Sequence, residues 1–201
     1  AVYAYDDGAL ETFRVAKTRG IKCIYELPIG YWRAANQILG EEAKRNPDWA
    51  WSYRGVFDSK EKFARKDEEL KLADLIIVAS SFARDTLKQA PFPLAPIAVV
   101  PYGSEQQAKE FSPGQANAGL PVKLLYVGAI TQRKGLSNIL EAISELGMNI
   151  RLTIVGQCSD PDRFSSCLSD PRIHYVPSMT HRLVLKTMRE HDVLLFPSLF
   201  E

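Results

Sequence analysis

Short apolar runs alternate with amphipathic stretches of helical period, first between Ala1 and Val100 and again between Val122 and Phe196. Parallel strands need crossovers long enough to hold a helix, and strands buried on both faces read as continuous apolar runs. Such alternation commits a chain to an α/β architecture with parallel sheets. In the first block AVYAY (1–5), IKCIYEL (21–27), LIIVA (75–79) and IAVV (97–100) are strand candidates. A helix is expected from Ala9 to Lys17, closed by Gly20. A charged, mostly solvated helix runs to Asp74 and opens on the capping-box pair Asp58 and Glu61. Ser80 and Ser81 can cap a third helix through Gln89, where the prolines of PFPLAP forbid continuation.

The second block repeats the plan. Strands are expected at VKLLYVG (122–128), IRLTIVG (150–156), RIHYV (172–176) and VLLF (193–196), with helices at Leu136–Leu146, Arg163–Leu168 and Arg182–His191. Leu136, Ile139, Leu140, Ile143 and Leu146 recur at three and four, giving one stripe to pack on a sheet before Gly147 ends the helix. Between the blocks the composition turns to Pro, Gly, Ser, Gln and Asn. The organisation is therefore a first Rossmann-like domain over 1–107, a linker over 108–121 and a second Rossmann-like domain over 122–201. The chain opens inside a strand-like run and stops at Glu201 directly after an apolar run, so the expectation is a piece of a longer polypeptide with both domains truncated.

Charge and cysteine content exclude several partners. Lys and Arg number 25 against 24 Asp and Glu, a formal charge of +1. That balance lacks the basic footprint that binding to a phosphate backbone demands, and no local patch replaces it, so no nucleic-acid partner is expected. No run reaches the roughly 18 apolar residues of a membrane span, and the first residues are not a secretory leader. Cys23, Cys158 and Cys167 show no ligand spacing and fit reduced thiols, which points to a cytoplasmic protein without a metal site. His174, His181 and His191 are scattered and receive no chemistry.

Four motifs carry candidate chemistry. Gly128-Ala-Ile-Thr-Gln-Arg133-Lys134-Gly135 lies between a strand and the helix that follows it. Free amides and dipole at a helix N-terminus favour an anion, Lys134 adds a full charge, and Gly128 and Gly135 permit close backbone approach. The same residues also read as a plain loop with two surface cations. Phe196-Pro-Ser198-Leu-Phe-Glu201 carries a strand into a turn that delivers a carboxylate to the end of the sheet where ligands of open parallel sheets sit, or else is a terminal loop. Val100-Pro-Tyr-Gly103-Ser-Glu105 ends a strand in a turn beside the linker, where Gly103 can bring a ligand near the hinge or serve turn chemistry alone. Trp32 beside Arg33, continuing to Trp49, Trp51 and Tyr53, could stack on a glycan or a lipid acceptor, although core packing is the commoner use of such rings.

Taken in order, ADLIIVASSFARDTL (73–87), IAVVPYGSE (97–105) followed by Phe111-Ser-Pro, KLLYVGAITQRKGLSNILEAI (123–143), LTIVG (152–156) and HDVLLFPSLFE (191–201) resemble the retaining glycosyltransferases of family 4. Those enzymes have the GT-B fold, two facing Rossmann-like domains. The resemblance implies transfer of a sugar from a nucleoside-diphosphate donor on the second domain to a glycan, lipid-linked or small-molecule acceptor on the first. It implies no cofactor and no obligatory metal. Lys134 would stabilise the diphosphate leaving group, Gly128 would admit it, Glu201 would contact the donor sugar as the first glutamate of the family's paired motif, and Ser198 would line the same site. Contact with the inner face of a membrane is compatible with such acceptors.

The departures bear on that reading. Ala129 stands where the family usually has arginine, which leaves Arg133 as the substitute cation. Glu26-Leu-Pro28 replaces an expected histidine, and neither a glycine-rich loop in the first domain nor the second motif glutamate is present in the sequence. A noncatalytic nucleotide-sugar-binding module, or an epimerase or phosphorylase on the same plan, remains the alternative. The isolated 201-residue chain is expected to be weakly stable and inactive.

Overall fold

The computed structural model describes residues 1–53, 58–103 and 120–201. The described residues form two compact units. The first holds Ala1–Arg45, the described residues from 58 to 103, and Phe200–Glu201; the second holds Asn46–Tyr53 and the described residues from 120 to Leu199. Two short segments therefore pack apart from their neighbours in sequence. Asn46–Tyr53, which the reading above ran continuously into the first domain, belongs to the second unit, and Phe200–Glu201 belongs to the first. Most of the expected linker, residues 108–119, lies outside the described residues, as do Glu105 and the Phe111-Ser-Pro motif.

In the first unit β1 (Val2–Tyr5), β2 (Cys23–Leu27), β3 (Leu75–Val78) and β4 (Ile97–Val99) form a parallel sheet in the order β1-β2-β3-β4. The strand pleat alternates side chains between faces. Cys23, Tyr25, Leu27, Ile76 and Val78 fall on one face and are buried under α1 (Leu10–Thr18) and α3 (Lys60–Leu72). Gly20 adopts φ +66, the left-handed conformation that closes α1 as expected.

One expectation for α3 is corrected. Ser59, not Asp58, caps it, with Oγ accepting from the Lys62 amide. Asp58 instead pairs with Lys62 and Lys66. The helix is mostly solvated as expected, with Glu69 and Leu70 its buried residues; Glu69 is fully buried, and its carboxylate accepts from the amides of Asp7, Ala9 and Leu10 at 2.8, 3.0 and 3.1 Å. Glu69 thus satisfies the unpaired donors at the start of α1, while its burial raises its pKa. A further helix, α2 (Trp32–Arg45), arises where the sequence suggested only an aromatic segment. Asp67 on α3 fastens it, accepting from Tyr31 Oη, Trp32 Nε1 and Arg33 Nη2 at 2.6, 2.7 and 2.9 Å. Ser80 caps α4 (Ser81–Thr86), which tightens into a 3-10 turn at Leu87–Gln89.

In the second unit β5 (Val122–Val127), β6 (Ile150–Val155), β7 (Ile173–Val176) and β8 (Val193–Leu195) form a parallel sheet in the order β7-β6-β5-β8. The connecting helices are α5 (Leu136–Glu145), α6 (Pro161–Ser166) and α7 (His181–Arg189). Leu136, Ile139 and Ile143 bury the stripe on α5, but Leu146 is 50% exposed in extended backbone. Gly147 is not what ends α5. Arg172, itself buried, donates to the carbonyls of Ile143, Leu146 and Gly147, placing a cation where the helix dipole is negative. His191 bridges the Thr187 carbonyl and Thr153 Oγ1, a structural role in keeping with its lack of assigned chemistry. No described helix is long and apolar enough to cross a membrane.

Candidate functional site

The order β7-β6-β5-β8 places β5 between β6 on one side and β8 on the other. At such a reversal the loops leaving adjacent strands diverge and open a crevice beyond the carboxyl ends, where ligands of open α/β sheets bind. The loop 128–135 leaves β5 at that place, and the segment 196–199 leaves the neighbouring β8. The part of the loop that carries Arg133 and Lys134 lies against the segment that carries Ser198, through Arg133 to Leu199 and Gly135 to Pro197, whereas Gly128 stands at the start of the loop beside Tyr126 and Gly156.

Backbone packing, more than ligand access, explains the glycines. Gly135 has φ +71, and a Cβ there would lie 2.2 Å from the Pro197 carbonyl oxygen. The Leu199 amide donates to the Arg133 carbonyl at 2.9 Å, so residues 197–199 are laid against the loop. A Cβ on Gly156, at the end of β6, would come within 1.7 Å of the Gly128 carbonyl oxygen. Gly128 itself has more room, since its nearest obstacle is the hydroxyl of Tyr126 at 3.1 Å, which donates to the Ala129 carbonyl.

Many of the amides expected to be free before α5 have acceptors within the protein. The amides of Gly128, Ile130, Thr131, Lys134 and Gly135 donate to the carbonyls of Val155, Gln157, Ala129, Thr131 and Gln132. The Gln132 amide donates to Ser52 Oγ at 2.9 Å, and the Ser137 amide to Gln132 Oε1 at 3.0 Å. Residues 132–134 form a 3-10 turn ahead of α5, and the Gln132 side chain caps the helix from within. The side chains of Arg133 and Lys134, both partly exposed, add charge for an incoming anion, with the helix dipole behind them.

Glu201 belongs to the first unit. Its carbonyl accepts from the Gly30 amide at 2.9 Å in the first unit. Phe200 is buried beside Gly30, Thr86 and Phe82, and a Cβ on Gly30 would come within 2.5 Å of the Phe200 ring. Gly103 is exposed, its φ is outside the left-handed region, and among the described residues nothing lies within 4 Å of an added Cβ.

Trp49 and Trp51 are core residues, 9% and 8% exposed, stacked at 5.7 Å with Trp49 edge-on to Phe164. Trp32 stacks on Phe63 at 4.2 Å under the Arg33 guanidinium. Three residues that shape the loop went unmarked in the sequence. Gly156 closes an apolar strand and so carried a signal, Gln132 sat unassigned inside the motif, and Ser52 lies 80 residues from its partner with no local signal at all.

No family model and no curated protein matches the sequence. Solved structures do. HepE from Anabaena, crystallised with UDP and glucose, superposes with a TM-score of 0.67 at 13% identity, covering 98% of this chain and 52% of HepE. The lipopolysaccharide outer core galactosyltransferase WaaB in its apo form gives 0.63 at 15% identity, covering 98% of this chain and 50% of WaaB. TarM from S. aureus, solved with Fondaparinux, alpha-GlcNAc-glycerol and UDP, gives 0.60 at 12% identity, covering 99% and 37%. The chain thus has an α/β fold of the GT-B glycosyltransferase type and spans about half the length of HepE and WaaB.

Proposed function

We propose that this chain is part of a retaining glycosyltransferase that moves a sugar from a nucleoside-diphosphate donor to a glycan, lipid-linked or small-molecule acceptor. The observation that carries the reading is the placement of Arg133 and Lys134 on a braced loop at the carboxyl end of β5, beside the turn holding Ser198, at the strand-order reversal. The likeness in fold to structures that contain UDP supports it.

In this reading the side chains of Lys134 and Arg133 take up the charge that grows on the departing diphosphate, without a metal. Preorganised cations in a fixed loop stabilise developing charge without reorganising during the reaction. Gly128 keeps the entrance open, and Ser198 lines the donor.

Calorimetric titration of the chain with UDP, GDP and ADP, each with and without EDTA, tests the site. One nucleotide is expected to bind irrespective of EDTA. Lys134→Ala should weaken it about 10- to 100-fold, the worth of one charge-assisted hydrogen bond. Binding left unchanged by Lys134→Ala, or lost with EDTA, refutes the assignment.

A further inference from the structure

We infer that Ser52 is a positioning residue for the donor loop, setting the place of Arg133 and Lys134 through the Gln132 amide; this rests on the donor-site reading above. The segment Asn46–Tyr53 belongs to the second unit although the chain on both sides of it, α2 and α3, belongs to the first. It packs as a 3-10 turn over Pro47–Tyr53, with Trp49 and Trp51 driven into the core of the second unit. That anchorage is apolar and includes Ile130 of the loop. Ser52 adds a hydrogen bond to the loop backbone.

Ser52 is 2% exposed, and its hydroxyl is used in both senses: it donates to the Trp49 carbonyl at 2.7 Å and accepts from the Gln132 amide at 2.9 Å. Gln132 is fully buried and in turn accepts the Ser137 amide at 3.0 Å on its side-chain oxygen. One chain of hydrogen bonds therefore runs from the Trp49 turn through Ser52 and Gln132 to the first turn of α5. Arg133 and Lys134 are the next two residues along the backbone. From the other side, the Leu199 amide holds the Arg133 carbonyl at 2.9 Å. The two cations thus stand on backbone gripped at both sides by segments distant in sequence. A buried amide deprived of its acceptor must find another by moving, because leaving it unsatisfied is costly. The loop would shift, and cations aimed at a diphosphate tolerate little displacement.

A merely structural Ser52 would lower stability without discriminating between ligands. A positioning Ser52 acts only on ligands that carry the phosphates. The experiment compares the unsubstituted chain, Ser52→Ala, Ser52→Thr and Lys134→Ala by calorimetric titration with UDP and, separately, with uridine, with thermal unfolding recorded for each. Ser52→Ala is expected to weaken UDP about tenfold and leave uridine within twofold, and Ser52→Thr, which keeps a hydroxyl, should restore most of the UDP affinity. Should the alanine variant fail to fold, Ser52→Cys keeps the size with a weaker acceptor and carries the same test. UDP affinity unchanged by removal of the hydroxyl, while Lys134→Ala weakens it, overturns the role of Ser52 and spares the donor site. Equal weakening of UDP and uridine also overturns it. Failure of the unsubstituted chain to bind UDP overturns the donor-site reading for that nucleotide and the proposal with it.

Discussion

Gly20 and Gly135 form a natural controlled pair, because both sit in left-handed backbone, φ +66 and +71, but only one is crowded. At Gly20 an added Cβ meets nothing within 4 Å; at Gly135 it meets the Pro197 carbonyl oxygen at 2.2 Å and its carbon at 3.0 Å. The left-handed conformation costs an L-residue roughly 1–2 kcal/mol, and the stiffer unfolded chain returns about 0.4–1 kcal/mol. Gly20→Ala is thus expected to cost about 1 kcal/mol. Gly135→Ala carries the same cost, and in addition must push the Pro197 backbone aside. That movement strains or breaks the 2.9 Å bond from the Leu199 amide to the Arg133 carbonyl. A lost hydrogen bond of about 1 kcal/mol and overpacking of about 1–3 kcal/mol bring the expected loss to about 3–5 kcal/mol.

Tryptophan fluorescence during urea unfolding reads this out, since Trp49 and Trp51 belong to the second unit and Trp32 to the first. A Trp32→Phe background isolates the second unit's signal. With a slope of about 2 kcal/mol per molar urea, Gly20→Ala should move the first unit's midpoint by about 0.5 M. Gly135→Ala should move the second unit's by about 2 M or leave it unfolded without urea. Similar small shifts for the two variants would refute the claim that Gly135 exists to admit the Pro197 backbone.

Two further outcomes follow from buried or paired carboxylates. Glu69→Ala strips the acceptor from the amides of Asp7, Ala9 and Leu10 and should cost the first unit about 2–4 kcal/mol in urea unfolding, with Glu69→Gln costing less because it keeps one acceptor oxygen; equal losses would sink the capping role. Asp74 is held down to about 2 by its hydrogen bond from Lys17, then by the Cys23 amide. Its folded pKa lies below the unfolded value of about 3.9, so its contribution is present above pH 4 and drains away between about pH 4 and 2. Unfolding measured across that window should show a steeper acid loss in the unsubstituted chain than in Asp74→Asn, and parallel losses would refute the assignment.

Much of the fold was legible because its signals are local. The eight strands among the described residues fall within the apolar runs, although the burial that makes such runs apolar is greatest in the inner strands, and β1, β4, β7 and β8 bury no residue fully. The stripe on α5 and the left-handed Gly20 were equally plain, each set by side-chain spacing or by one residue's backbone freedom. Helix α2 was not legible. Its residues read as an aromatic cluster, and what holds the start of the helix is Asp67, more than thirty residues away. Glu69 looked like one more solvated charge in a charged helix, because nothing in its neighbourhood reveals that three amides at the approach to and start of another helix converge on it.

The candidate site divides along the same line. Local order and composition determined that a loop carrying Arg133 and Lys134 would connect a buried strand to a helix, and that Pro197 and Ser198 would follow another strand. Only the tertiary structure decided that β8 lies next to β5, which brings those two segments together, and that the Gln132 amide before α5 is taken up by Ser52. It also decided that residues 46–53 and 200–201 pack away from their sequence neighbours. The reason is physical: strand, helix and turn propensities are fixed by nearest neighbours. Which hydroxyl meets a buried amide, or which carbonyl occupies a glycine's missing Cβ, depends on segments that come together only when the apolar surfaces are buried.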